Sequence, residues 1–291
     1  MKKTFSVLVT LLLAAHCAAC SRDAASKDRF VIAASFYPVY IIARNVAGGV
    51  QGAAVVNVTP PVTGCLHDYT LTAEDMKRIE KADILLVNGG GMENFIAEVA
   101  GKRPSMKISE LSQGIKPLRN DDGSNPHVWV APGNIAAMTR NCARALSAAD
   151  PAMAAAYKKN AETYIAEIDA LRREMHAALD RYRGRPIITF HEAFSYFASE
   201  FGLKIAAVIE REPGTEPSAR EVAKTVDIVR SNHIMALFAE PQYPSSAAKT
   251  IARETGAVVY TLDPAVTGPD DARAYIDIMR KNLVVLEKAL K

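Results

Sequence analysis

His67, His127, His191 and Asp263 are the residues whose types and places in the chain best fit a shared chemistry. Each histidine stands where a predicted loop follows or interrupts an apolar strand, and Asp263 stands at a fourth such place. The sequence has 6 histidines, and one of them, His16, lies in a segment expected to be cut away. Neutral imidazole nitrogens with a carboxylate oxygen are the ligands that suit zinc and its neighbours. If these groups meet in one cleft, the chain holds a divalent metal ion. A lone histidine near a strand end is more often a core or surface residue than a ligand. Several candidates at equivalent strand ends shift that balance toward metal. His176 lies on a predicted long helix, and His233 follows a helix end, where a cation favours the helix dipole. Neither is assigned a ligand role.

Other chemistries fit less well. His191-Glu192 begins like a zinc-protease motif, but that motif needs a second histidine four residues after the first, on the same helix face. Ser195 occupies that position. No Gly-x-Ser-x-Gly elbow and no Walker phosphate loop occurs, and Gly89-Gly90-Gly91 reads as a structural turn. Four protein ligands leave no open position for a reacting water, so the site is expected to bind and not to catalyse. A metal-dependent hydrolase or chelatase is the rival from another class. It would need one ligand missing and a general base such as Glu192 or Glu240.

The elements that must position these residues alternate between strand and helix. Residues 30–35, 53–59 and 84–88 read as apolar strands, with a short strand at Lys107-Ile108. Pro38 opens a helix ended by Gly48-Gly49, and Thr72 with Asp75 three residues on marks another helix start. Residues 113–125 read as a polar loop. This rhythm predicts a parallel sheet covered on both faces. After Asp150-Pro151 no glycine or proline occurs until Gly184, and apolar residues recur at three- and four-residue steps from Met153 to Tyr182. The pattern predicts one amphipathic helix of about 33 residues, roughly 50 Å long at 1.5 Å per residue. Strands at 186–190, 204–209, 234–239 and 257–262 then alternate with helices, including one from Ser218 to about Asn232 and a last one over about 270–290.

The expected fold class is therefore α/β, two Rossmann-like lobes with parallel sheets joined by one long rigid helix. Residues 30–149 form the N-terminal lobe, 150–183 the linking helix and 184–291 the C-terminal lobe. In open α/β sheets, ligands bind beyond the carboxyl ends of the strands. His191 and Asp263 fall there in the second lobe, and His67 and His127 belong to the first. The expected site is the cleft between the lobes.

The chain is 49% hydrophobic and 23% charged, ordinary values for a globular protein. Its net charge of +3 is small and no run of five Lys/Arg occurs, so nucleic acid is not an expected partner. Met1-Lys2-Lys3 is a basic start, and Phe5 to Ala15 is an apolar run too short to span a bilayer. Cys17-Ala18-Ala19-Cys20 resembles a bacterial lipoprotein cleavage box, with Cys17 where leucine is usual. Residues 1–19 are read as a lipoprotein signal peptide, Cys20 as the lipid-bearing residue, and 20–29 as a flexible tether. An ordinary secretory signal cut near Ala19 is the alternative. The mature chain is expected to be exported and lipid-anchored to a membrane, facing the periplasm or the cell exterior. Export permits a disulfide between Cys65 and Cys142, and that bridge is expected. The alternatives are two unrelated buried thiols, or Cys65 as a metal ligand beside His67.

Six segments in order carry a more specific likeness. They are Phe36-Tyr37-Pro38, Gly64 to Leu71 (GCLHDYTL), Asn125-Pro126-His127-Val128-Trp129, Thr189-Phe190-His191-Glu192-Ala193-Phe194, Phe238-Ala239-Glu240-Pro241-Gln242 and Leu262-Asp263-Pro264. With the long helix between the third and fourth, the chain resembles the metal-binding solute receptors of ABC importers that handle zinc and manganese. The likeness covers nearly everything after Cys20. It implies two lobes bridged by a rigid helix, the metal ligands His67, His127, His191 and Asp263, and a monomer. The implied partners are a membrane permease and its separate ATPase. A histidine at the third ligand position resembles the zinc branch and a carboxylate there the manganese branch. Zn2+ is therefore the expected transported ligand, with Mn2+ or iron as the alternative, and three imidazoles with one carboxylate also suit tetrahedral zinc. Many zinc-branch members carry a long His-rich acidic loop before the second histidine. Here the stretch has Asp121 and Asp122 but no histidine, so no metal-gathering role is expected for it. Some members are proposed to act as surface adhesins. Glu240 is read as a carboxylate that orients a ligating histidine.

Overall fold

The computed structural model describes residues 29–60, 65–66, 69–120, 123–209 and 217–291. The signal peptide, Cys20 and most of the tether lie outside the described residues, and so does His67.

The first half runs β1 (Phe30–Ala34), α1 (Tyr37–Ala47), β2 (Ala53–Asn57), α2 (Ala73–Glu80), β3 (Ile84–Val87), α3 (Ile96–Lys102) and β4 (Lys107–Glu110). All the strand pairs are parallel, in the order β2-β1-β3-β4. β3 is buried at every position, which explains why Ile84-Leu85-Leu86-Val87 shows no polar alternation. Thr72 caps α2 through a reciprocal pair of bonds with Asp75, as its sequence predicts. The segment predicted as a loop instead forms a small antiparallel hairpin, β5 (Arg119–Asn120) with β6 (Gly123–Ser124). A 3-10 turn over Val128–Val130 leads into α4 (Pro132–Ala149).

The linking helix is shorter than its apolar pattern suggests. α5 (Ala154–Leu179) has 26 regular residues, about 39 Å at the standard rise, with a 3-10 turn at each end. Asp150 does not cap it; its carboxylate accepts from the Tyr157 hydroxyl instead. Asp180 at the other end accepts from Arg183 and bonds His176. Tyr157, Ala161, Tyr164, Ile168, Leu171, Met175 and Leu179 form the buried stripe, which confirms the predicted spacing.

The second half runs β7 (Pro186–Thr189), α6 (Ser195–Phe201), β8 (Lys204–Val208), α7 (Ala219–Ser231), β9 (Ala236–Ala239), α8 (Ser246–Thr255), β10 (Val258–Thr261) and α9 (Ala274–Ala289). Its parallel order, β10-β9-β7-β8, repeats that of the first sheet when each half is counted from its own first strand. Each sheet therefore has its topological switch beside its first strand, between β1 and β3 and between β7 and β9.

One hydrophobic core runs from Ile32 and Leu86 in the first sheet, through Ile168 and Met175 of α5, to Phe238, Leu262 and Leu286 of the second half. A smaller cluster, with Ile188, Leu237 and Ile251, covers the other face of the second sheet. Neighbouring residues such as Ile187 and Ile188 enter different clusters because strand side chains alternate. α9 packs along α5 and reaches α1, so the last helix braces the linking helix. No helix among the described residues is long and apolar enough to cross a membrane.

Candidate metal centre

The switch point of the second sheet places His191 against Glu240. Thr189 of β7 lies opposite Phe238 of β9, so continuing both strands by two residues brings His191 beside Glu240. The His191 Nδ1 to Glu240 Oε1 distance is 3.0 Å. An ionised carboxylate only accepts, so in this pair Nδ1 is the donor and a metal bond from His191 would use Nε2. Both side chains are 1% exposed. Among the described residues the second Glu240 oxygen, Oε2, has no hydrogen-bond partner. A buried carboxylate oxygen without a donor is costly unless positive charge comes near.

His127 is oriented in a similar way from the first half. Asn125 Oδ1 accepts from both the His127 backbone N–H and its Nδ1, each at 2.9 Å. The Asn125 amide cannot be turned round, because its Nδ2 donates to the Glu192 carbonyl at 3.0 Å. The Tyr196 hydroxyl donates to the Asn125 carbonyl and accepts from the Leu118 N–H, both at 2.9 Å. With Nδ1 so engaged, a metal bond from His127 would use Nε2. The two imidazole rings lie 4.6 Å apart, nearly perpendicular, and are almost fully buried.

Cys65 completes a convergent group. Its sulfur and one ring nitrogen each of His127 and His191 lie within 4.8 Å of one another. Burial pushes the thiol well above its usual pKa, and the nearby Glu240 charge adds to that; a hydrogen bond with Tyr243 opposes it. The expected Cys65–Cys142 bridge is not formed: both residues are free thiols. Cys142 is buried on α4 near Tyr157, while Cys65 lies in the cleft beside Tyr243, so the two sulfurs belong to different regions of the core.

Asp263 lies at the carboxyl end of β10, as its sequence position implies, but outside that convergent group. Its Oδ1 accepts from the Ala265 N–H at 2.8 Å and from Gln242 Nε2 at 3.4 Å. Burial raises its pKa and these bonds partly offset the rise. Asn282 holds its backbone on both sides, accepting from Asp263 N and donating to Asp263 O. His176 is bonded to Asp180 and stands apart, consistent with its assignment.

Sequence reasoning missed three supporting residues. Asn125 had a readable signal, an amide two residues before a candidate ligand. Gln242 stood in the Phe238–Gln242 segment with no role assigned, and Tyr243 had no signal. It also missed Glu93, at the switch point of the first sheet. That buried carboxylate accepts from Ser35 Oγ at 2.7 Å, Asn88 N at 2.6 Å and Gly89 N at 3.0 Å. Asn88 in turn donates to the Pro126 carbonyl at 2.9 Å, next to His127. Desolvation pushes the Glu93 pKa to about 7. Gly89, Gly90 and Gly91 all have positive φ, so the glycine cluster is the structural turn that its sequence suggested.

Known proteins share this architecture. The family described as zinc-uptake complex component A, periplasmic, matches residues 32–289. The high-affinity zinc uptake system protein ZnuA of Bacillus subtilis is 28% identical, over 98% of this chain and 96% of its own length. The iron-binding protein YfeA of Yersinia pestis is 31% identical, over 79% of this chain and 75% of its own. The zinc-binding lipoprotein AdcA of Streptococcus pneumoniae is 27% identical over 96% of this chain, which spans only 60% of that longer protein. Among solved structures, the solute-binding protein FpvC of Pseudomonas aeruginosa in complex with Mn2+ has a TM-score of 0.81 and 31% identity, covering 90% of this chain and 98% of that one. Zn(II)-bound AdcA of Streptococcus pneumoniae has a TM-score of 0.79 and 26% identity, covering 90% of this chain and 58% of that one.

Proposed function

This chain belongs to the zinc-uptake complex component A family, and on that footing we propose that it is an extracytoplasmic zinc receptor of an ABC importer. It binds Zn2+ in the cleft between its lobes and hands the ion to a membrane permease driven by an ATPase. It is a binding protein and not an enzyme. The observation that carries the reading is the convergence of His127 and His191, buried side by side with each Nδ1 tied to an oxygen acceptor. Such partners fix the ring orientation and raise ligand basicity. In this reading His67, His127, His191 and Asp263 hold the ion, residues 30–149 and 184–291 are the two lobes, and 150–183 is the strut. Cys20 carries the lipid that keeps the monomeric receptor at the membrane.

The test is competitive metal titration of the purified protein and of His191→Ala. One equivalent of zinc, weakened at least about tenfold in the variant, is the expected result. Manganese or iron is the second reading, favoured by the manganese complex of FpvC and by the iron-binding YfeA. A measured preference for manganese over zinc moves the protein to that reading. Absence of any bound metal refutes both.

A further inference from the structure

We infer that Cys65 is a direct ligand of the ion, so that the receptor holds its metal through sulfur as well as imidazole. This rests on the metal-receptor reading and deepens it. The sulfur and the two ring nitrogens already lie within 4.8 Å of one another without an ion between them. In a tetrahedral zinc site with Zn–N near 2.0–2.1 Å and Zn–S near 2.3 Å, adjacent ligand atoms stand about 3.3 to 3.6 Å apart. A small inward movement of side chains closes that difference. Asn125 and Glu240 engage Nδ1 of the two rings, so coordination through these imidazoles would use Nε2. A second observation points to a cation here: Glu240 Oε2 is buried and has no hydrogen-bond donor among the described residues. Asp263, by contrast, already spends Oδ1 on Ala265 and Gln242.

Coordination breaks the Cys65 S–H bond, the sulfur lone pair binds the ion, and the proton leaves to water. Nothing is oxidised or reduced. The remaining position of a four-coordinate site falls to either His67 or Asp263, so Cys65 takes the place of the other in the ligand set proposed above. A thiolate changes the selectivity of the centre. Soft sulfur favours zinc and copper(I), whereas manganese prefers oxygen. Cys65 is therefore the residue that turns the site away from manganese.

Cobalt(II) titration of the purified protein tests this, since a bound thiolate gives a near-ultraviolet sulfur-to-cobalt band. The expected result is that band together with the visible d–d bands of a four-coordinate ion. Cys65→Ser is expected to lose the ultraviolet band, keep the visible ones and narrow the zinc-over-manganese preference by on the order of tenfold. Cys142→Ser serves as the control and leaves both spectra unchanged. Visible bands without the ultraviolet band in the unmodified protein overturn the role of Cys65 and leave the metal receptor standing. No cobalt uptake and no zinc uptake overturn both. The decisive spectrum is that of the unmodified protein, so a misfolded variant does not rescue the inference.

Discussion

At the scale of single residues, two buried carboxylates stand near the switch points of the two sheets and have different tasks. Glu240 orients His191. Glu93 fastens the ends of β1 and β3 and, through Asn88, steadies the segment that carries His127. The Glu93 pKa rises from 4.5 to about 7 on folding, so between those values the folded state binds the extra proton. Its contribution to stability is full below about pH 4.5 and is lost as pH rises through about 7. Urea melts of the unmodified protein and of Glu93→Gln across that window should show this slope only in the former. The variant should also be less stable by ~1–3 kcal/mol, because its amide NH2 meets a backbone N–H. A parallel slope in both proteins would remove the assignment. Thiol titration of unfolded, unreduced protein should count Cys65 and Cys142 as free; a count of none would restore the bridge. The positions of His191 and Asp263 were legible from strand ends alone; His127 instead precedes a 3-10 turn and not a strand. For Cys65 the sequence offered the ligand reading only as an alternative to the expected disulfide, because a cysteine in an exported chain also reads as half of a bridge. Only the packing of Tyr243 and Glu240 around it separates the possibilities.

At the scale of elements, local signals were reliable where the physics is local. Thr72 and Ser218 both form reciprocal caps with the acid three residues on, and Gly202 and Gly256 close their helices with positive φ. The hairpin β5–β6 was invisible because two-residue strands carry no alternation. The ends of the strut were misjudged because Asp150 and Tyr182 fit the helical pattern, whereas the Tyr157 hydroxyl draws the Asp150 carboxylate away from capping. The stripe itself was legible, and its energetics follow from burial. Leu171 is fully buried in the shared core, so Leu171→Ala should cost ~2–5 kcal/mol, read as a lower denaturant midpoint. A loss under about 0.5 kcal/mol would mean that the strut does not carry the core. The surface pairs Arg280–Glu174 and Arg273–Glu167 between α9 and α5 contribute little by comparison, being half exposed.

At the scale of the whole molecule, the lobes are not separate bodies. Trp129 Nε1 donates to the Pro264 carbonyl at 2.8 Å, the Tyr275 hydroxyl donates to the Trp129 carbonyl at 3.0 Å, and the Tyr37 hydroxyl donates to the Pro269 carbonyl at 2.8 Å. The continuous core passes beneath all three. X-ray scattering profiles with and without zinc should therefore nearly superimpose; a clear fall in the radius of gyration on loading would refute rigid coupling. The sequence had shown the long helix but could not show that α9 returns to brace it, since a contact between distant segments leaves no local pattern. The shared core also has a consequence in time. On the proposed receptor reading, a shared core leaves no slow closing step, so an arriving ion would meet its ligands as fast as they can turn to it. How long the ion stays is then set by the few side chains around it. Whatever empties the receptor must disturb those side chains through the loops at the rim, because pulling the halves apart would mean tearing the core.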